Sequence, residues 1–339
     1  MARHAALFAL VVALVVPTAT QPSAATTVSR HDQLPLTRVI DVPLPGRPTR
    51  FDYQSIDPLT HTLYVAHLGD STLDVVDLDT LRVRVTVPHL AHVHGLAVAP
   101  RVGRVYATAT GTNELVTVDA ATNKVIARTR TGRFPDGVAY DDRDGFVYVS
   151  DKDDGSLTVV DAASNKVVHT IKLGAESGNV VYDPDGAVVY AAVRAPDVLV
   201  AIDPATNRVA RRIRLPGCDG AHGVYLDRTT RRAYIACERN GRLVVVDLRS
   251  NREIARATVG SGPDVLAFDS SLQRLYVASE SGTVSVFDTS GRTPRKLGQA
   301  HFADGAHSVV VDQASHRVFF PLERVRGEPV LRVMAPTGA

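Results

Sequence analysis

Apolar residues fall in short runs broken by turn residues all along the chain. Around residue 100 the runs are Leu96 to Ala99, Arg104 to Ala109, Leu115 to Asp119 and Lys124 to Thr129, rich in Val, Ala and Tyr. They are separated by Pro100-Arg101-Val102-Gly103 and Ala120-Ala121-Thr122-Asn123. Runs of that length between Gly, Pro and Asn read as strands and tight turns, and no helical period survives between them. The unit repeats. An aromatic residue flanked by apolar ones stands at Tyr64, Tyr106, Tyr148, Tyr190, Tyr234, Tyr276 and Phe319, at spacings of 42, 42, 42, 44, 42 and 43. An aspartate closing the next run stands at Asp77, Asp119, Asp161, Asp203, Asp247 and Asp288, with nearly the same period.

Four short strands cannot bury both faces of their own sheet, so the units must stack. A four-stranded unit of about 40 to 50 residues is the mark of a β-propeller, here all-β with seven blades. The aspartates begin turns, where a carboxylate accepts backbone N–H bonds from residues just ahead, and this assigns them a structural role. The last unit supplies three strands and stops, while Thr37 to Val42 reads like Lys124 to Thr129. The N-terminal strand is therefore expected to complete the C-terminal blade, closing the ring without an open edge.

Leu63-Tyr64-Val65-Ala66, Val147-Tyr148-Val149-Ser150 and Leu275-Tyr276-Val277-Ala278, each followed by a Val-Val-Asp-like strand and a Thr/Ser-Asn turn, resemble the YVTN-type, or YncE-like, propeller repeats. The resemblance spans nearly all of the chain after the first residues. It implies an exported bacterial protein; many such proteins have no assigned activity and one is reported to bind DNA. More distant seven-bladed propellers include lactonases and antibiotic lyases, so the fold leaves enzyme and binder both open.

The first residues carry Arg3 and His4, an apolar run over 5–16, then Pro17 and Ser23-Ala24-Ala25, the layout of a secretory signal cleaved near Ala25. A run of that length is too short to span a bilayer, and a buried first helix would show a polar face. The expectation is a signal over 1–25 and one propeller domain over 26–339, secreted or periplasmic, monomeric and without a membrane anchor. Lys plus Arg number 38 against 36 Asp plus Glu, a balance that offers nucleic acid no strong attraction. The absence of Trp removes stacking platforms for bases. The two cysteines, Cys218 and Cys237, suit a disulfide in an oxidising compartment or, alternatively, a thiolate ligand beside His222.

Chemistry enters where the repeat departs from packing. Twelve residues before each aromatic, at the start of the innermost strand, stand Asp52, His94, Asp136, Gly178, His222, Asp264 and His307. Equivalent positions in a ring surround one axis, so imidazoles and carboxylates should alternate round the mouth of the central channel. Three and four residues past the aromatic, the second strand ends on the same side with His67, Asp151, Cys237, Glu238, Glu280 and Glu323, and His92 joins them. Three uses of this ring stand open. It can cap the exposed edge of the inner strands. It can hold a divalent metal (Zn, Cu, Fe or Mn) through His94, His222 and His307. It can form a metal-free ligand or acid/base site. No HExxH, GxSxG, P-loop or CxxC pattern narrows the choice. The resulting expectation is a binding protein. Asp52, Asp136, Asp264, His67, Asp151 and Glu238 would contact a small-molecule or protein ligand, with a metal at the three histidines. The alternatives are a metal-assisted lyase or hydrolase using a ring histidine as base, and a protein-interaction scaffold.

Overall fold

The computed structural model describes Met1 and residues 34–337, so the expected signal and its cleavage point lie outside the described residues. Seven antiparallel sheets of four strands form the blades of a propeller. The first blade contains Gln54–Asp57, Thr62–His67, Thr72–Asp77 and Arg82–Val87. The second contains Val93–Ala99, Arg104–Ala109, Glu114–Asp119 and Lys124–Arg130. The next four blades repeat this plan with innermost strands Pro135–Asp141, Ser177–Asp183, Ala221–Asp227 and Pro263–Asp269. The seventh blade runs Val310–Val311, Val318–Val325 and Glu328–Pro336, and its outer strand is Leu36–Pro43 from the other end of the chain. Leu36 pairs with Pro336 and Pro43 with Val330, and Arg332 grips Asp41 through two hydrogen bonds of 2.7 and 2.8 Å. No helix among the described residues is long and apolar enough to cross a membrane.

The core lies between blades because each sheet has one apolar face to spend on each neighbour. Leu199 and Ile213 of the fourth blade, for example, pack with Ile235 and Val244 of the fifth. Six of the seven marker aromatics are at most 1% exposed, as their spacing at mid-strand requires. The marker aspartates do what turn chemistry predicts: Asp77 accepts from the Thr80 N–H, Asp119 from Thr122 and Asp161 from Ser164, at 2.7–3.0 Å. The Thr80 N–H and then Arg84 hold the Asp77 carboxyl down to about 2. Both seams of the seventh blade carry a histidine–aspartate contact. His61 of the first blade reaches Asp312 at 3.1 Å and Asp79 at 2.5 Å, and His316 reaches Asp269 of the sixth blade at 2.8 Å.

One irregularity recurs and positions the site. In the second to sixth blades the innermost strand carries one extra residue against its partner, between Val93 and Leu96, Pro135 and Val138, Ser177 and Val180, Ala221 and Val224, and Pro263 and Leu266. Each such β-bulge holds a ring residue: His94, Asp136, Gly178, His222 or Asp264. A bulge re-aims the side chain it contains, here toward the channel.

Candidate functional site

The ring residues gather at one end of the channel, around a cavity of about 310 Å³ lined by Asp52, His94, Asp136, His222, Asp264 and Glu238, with Arg50, Lys152 and Glu280 among its other walls. The packing that brings them together depends on glycine within the bulge. A Cβ on Gly223 would lie 1.9 Å from the Asp264 carbonyl oxygen, and one on Gly178 would meet His222 Cα at 2.7 Å. The second contact explains why the ring has a gap: His222 takes the space that a side chain at 178 would need.

The centre of the site is an arc over the sixth, seventh and first blades. One ligand atom each from Asp264, His307 and Asp52 lie within 4.8 Å of one another, all three residues being buried. His307 Nδ1 is 2.8 Å from the Gly305 carbonyl oxygen. A carbonyl only accepts, so Nδ1 carries the proton and Nε2 presents a bare lone pair. That Nε2 is buried with no hydrogen-bond partner. The Asp52 carboxylate, 2% exposed, likewise has no hydrogen-bond donor among the described residues; His94 Nε2 is 3.7 Å away and Arg50 Nε 3.9 Å. Burial, then the charge of Asp264, pushes the Asp52 carboxyl well above the usual range. Asp264 goes the other way. Burial opposes its charge, but the His222 hydrogen bond and the neighbouring cationic groups outweigh burial and hold the carboxyl low. His222 Nε2 is 3.1 Å from Asp264 Oδ1, and despite full burial this contact raises the imidazole's affinity for its proton.

His94 repeats the tautomer of His307: Nδ1 faces the His92 carbonyl at 2.8 Å, which leaves Nε2 toward Asp52. The three histidines themselves do not form the closest set. His222 is committed to Asp264, and two carboxylates stand where the sequence reading placed only imidazoles. Glu280 binds Arg50 through both oxygens, at 2.7 and 3.1 Å, and lies 3.8 Å from His307 Nδ1.

Other expected ligand contacts are elsewhere. His67 is fully buried, stacks on Phe51 at 4.0 Å between ring centroids, and meets Thr49 Oγ1 at 3.0 Å. Asp151 accepts from Gly132 N–H, Ser156 and Thr158 beside a separate small cavity, and burial pushes its carboxyl up to about 6. Cys237 is bonded to Cys218 in a disulfide, which removes both from metal ligation. The disulfide is the pairing expected of the two cysteines, and the placement of His67 and Asp151 has one cause. Side chains alternate along a strand, so the residue three past the aromatic turns into the packing between strands, while the residue four past it faces the channel. That second series contains Lys152, Arg194, Glu238 and Glu280. Lys152 and Arg194 were legible by the same spacing and were missed. Arg194 is 6% exposed and bridges Glu176 and Glu238.

Tyr53 could not be found from spacing. Its hydroxyl receives the amide of Asn179 from the fourth blade and lies 3.5 Å from Asp264 Oδ1 of the sixth. The side chain thus crosses the channel, and it lines both the polar cavity and a second one of about 270 Å³ walled by Val138, Val180, Val224 and Leu266.

A family model described as YNCE-like beta-propeller matches residues 81–270, more than half of the chain. Among solved structures, Kuenenia stuttgartiensis hydrazine synthase is similar with a TM-score of 0.73 at 16% identity, over 85% of this chain and 96% of that one. The WD40 repeats of RRP9 match with a TM-score of 0.73 at 11% identity, over 88% and 97%. U3-55K matches with 0.72 at 12%, over 88% and 98%. At such identity the likeness concerns the fold. No curated protein matches the sequence.

Proposed function

The chain belongs to the YNCE-like β-propeller family, and on that premise we propose that it is an exported binding protein that holds a divalent metal ion at the channel mouth through Asp52, Asp264 and His307. One observation carries this reading: His307, whose Nε2 lone pair is buried without a donor and whose Nδ1 is fixed by a backbone carbonyl, groups within 4.8 Å of two buried carboxylates. Buried polar atoms left without a partner are costly, and an ion would satisfy His307 Nε2 and Asp52 while adding to the contacts that Asp264 already has. In this reading His222 would orient Asp264 through its 3.1 Å contact, as outer-shell partners do, and His94, with Nε2 3.7 Å from Asp52, would neighbour the second carboxylate. Mixed carboxylate and imidazole donors suit Mn, Fe(II) or Zn better than Cu(I). Hydrolase or lyase chemistry is the weaker reading, since the ion would take His307 Nε2 and His222 Nε2 is already committed to Asp264.

The test is metal content. Protein equilibrated with Mn, Zn, Fe(II) or Cu(II) and then freed of excess should retain about one ion per chain. His307→Ala and Asp52→Asn should lose it, and His169→Ala, on the exposed outer strand Lys166–Lys172, should keep it. Retention of no ion by the wild type would end the metal reading. Export is checked separately by N-terminal sequencing of protein recovered outside the cytoplasm, which should begin near Thr26.

A further inference from the structure

Two residues before each ring position the backbone turns left-handed in five blades. Three of them use glycine there, Gly220, Gly262 and Gly305, at φ 75°, 63° and 71°. The second and third blades instead place His92 and Phe134 in the same conformation, at φ 47° and 53°. A bulky side chain is disfavoured in that region, and such strain gathers at functional sites. Both side chains line the polar cavity. The strained positions are therefore those that add a wall to it.

Beside Phe134 stands a second underused group. Lys152 Nζ is 5.1 Å from the centroid of the Phe134 ring and 3.9 Å from both Asp136 and Glu176, too far for a hydrogen bond to either. No described residue accepts from this ammonium, although it is largely sheltered and faces the cavity. Asp52 and Asp264 of the arc line the same cavity. Three protein ligands would leave an ion with open coordination positions. The space that Asp52, Asp264, Lys152 and Phe134 share would then take an oxygen donor for the ion, an anion for the ammonium and an apolar body for the ring.

We propose, resting on the metal reading above, that the occupant of the cavity is a small organic acid that places one oxygen on the ion, pairs its carboxylate with Lys152 and lays its body against Phe134. The volume of about 310 Å³ is at the lower end for small-molecule sites and limits the ligand to a molecule of that class. His92 and Phe134 replace the glycine of the fifth to seventh blades because the ligand needs their side chains.

The experiment titrates 2-hydroxybenzoate and oxalate into Mn-loaded protein by calorimetry, with phenol as a ligand lacking a carboxylate. Saturable one-to-one binding of 2-hydroxybenzoate, weakened at least tenfold in Lys152→Met and in Phe134→Gly and unchanged in the surface variant Lys172→Met, is expected. Oxalate should lose affinity in Lys152→Met and little in Phe134→Gly. Phenol should not bind. Phe134→Gly should also keep or raise the melting temperature, because it restores the residue that the left-handed backbone favours; a merely structural Phe134 would lower it. Wild-type protein that retains Mn but binds neither acid overturns this inference and leaves the metal site standing. Equal affinity in Lys152→Met, or equal affinity without metal, overturns the assigned contacts. Protein that retains no ion overturns both readings together.

Discussion

At Gly223 even a methyl group would press on the Asp264 carbonyl oxygen, and that oxygen belongs to the neighbouring inner strand, which has no room to retreat from the channel. Gly223→Ala should therefore lose about 1–3 kcal/mol of stability in denaturant unfolding, the range for forced overpacking. Asp151 allows a test with pH. Its carboxyl is raised to about 6 by burial, so ionising it opposes folding: the penalty is absent below the unfolded value near 4, grows between 4 and 6, and is complete above 6. Asp151→Asn keeps an acceptor for Ser156 and Thr158 but cannot ionise. Its stability relative to wild type should improve by about 2 kcal/mol between pH 4 and pH 7. A difference that does not change with pH would mean that the buried carboxyl is not titrating there.

The strand is the scale at which the sequence was most legible. A period of 42 residues, marked by a core aromatic and a turn aspartate, reports packing and turn chemistry, and both are local consequences of residue type. The ring at Asp52, His94, Asp136, His222, Asp264 and His307 was legible for the same reason, because equivalent positions share one height. What spacing could not supply was parity at the end of the second strand, where both faces are buried and apolar alternation gives no sign. His67 and Asp151 were lost there, and Lys152 with them. Partnership across the ring was also invisible, since the contacts of Tyr53 join residues 126 and 211 positions apart. Closure by Leu36–Pro43 was foreseeable because the last unit was one strand short. Removing residues 34–43 should expose the edge of Glu328–Pro336 and turn a monodisperse protein into a destabilised, self-associating one, seen by light scattering and thermal melting. The seams of the same blade add a pH term. Hydrogen bonds from the imidazole to Asp79 and Asp312 raise the His61 pKa, so its contribution is complete below about 6.5 and is lost as pH rises through the folded value. His61→Gln should lower the melting temperature more at pH 6 than at pH 9. The effect should be small and shrink with salt, because the pair is partly exposed.

For the whole molecule, stability is shared round a closed ring, so a constraint in one blade is felt at the others. The disulfide between Cys218 and Cys237 closes a loop with a sequence separation of 19 beside the bulge that aims His222. Its reduction should cost about 3 kcal/mol by restriction of the unfolded chain. Metal should act in the opposite direction: an ion at a hundred times its dissociation constant adds about 2.7 kcal/mol to a fold that alone assembles the site. The melting temperature of the wild type should rise on adding the ion, and that of His307→Ala should not.

Tyr53 carries a consequence for traffic. Reaching from the first blade to Asn179 and Asp264, it lies between the polar cavity and the apolar one beyond it. The propeller is in this respect a cup and not a pipe: whatever sits among the histidines and carboxylates arrives and departs over one rim. Uptake and release then compete for the same opening. A partner that covers that rim would trap the contents without touching them, whereas one that docks on the opposite end could reach them only by moving a single phenol.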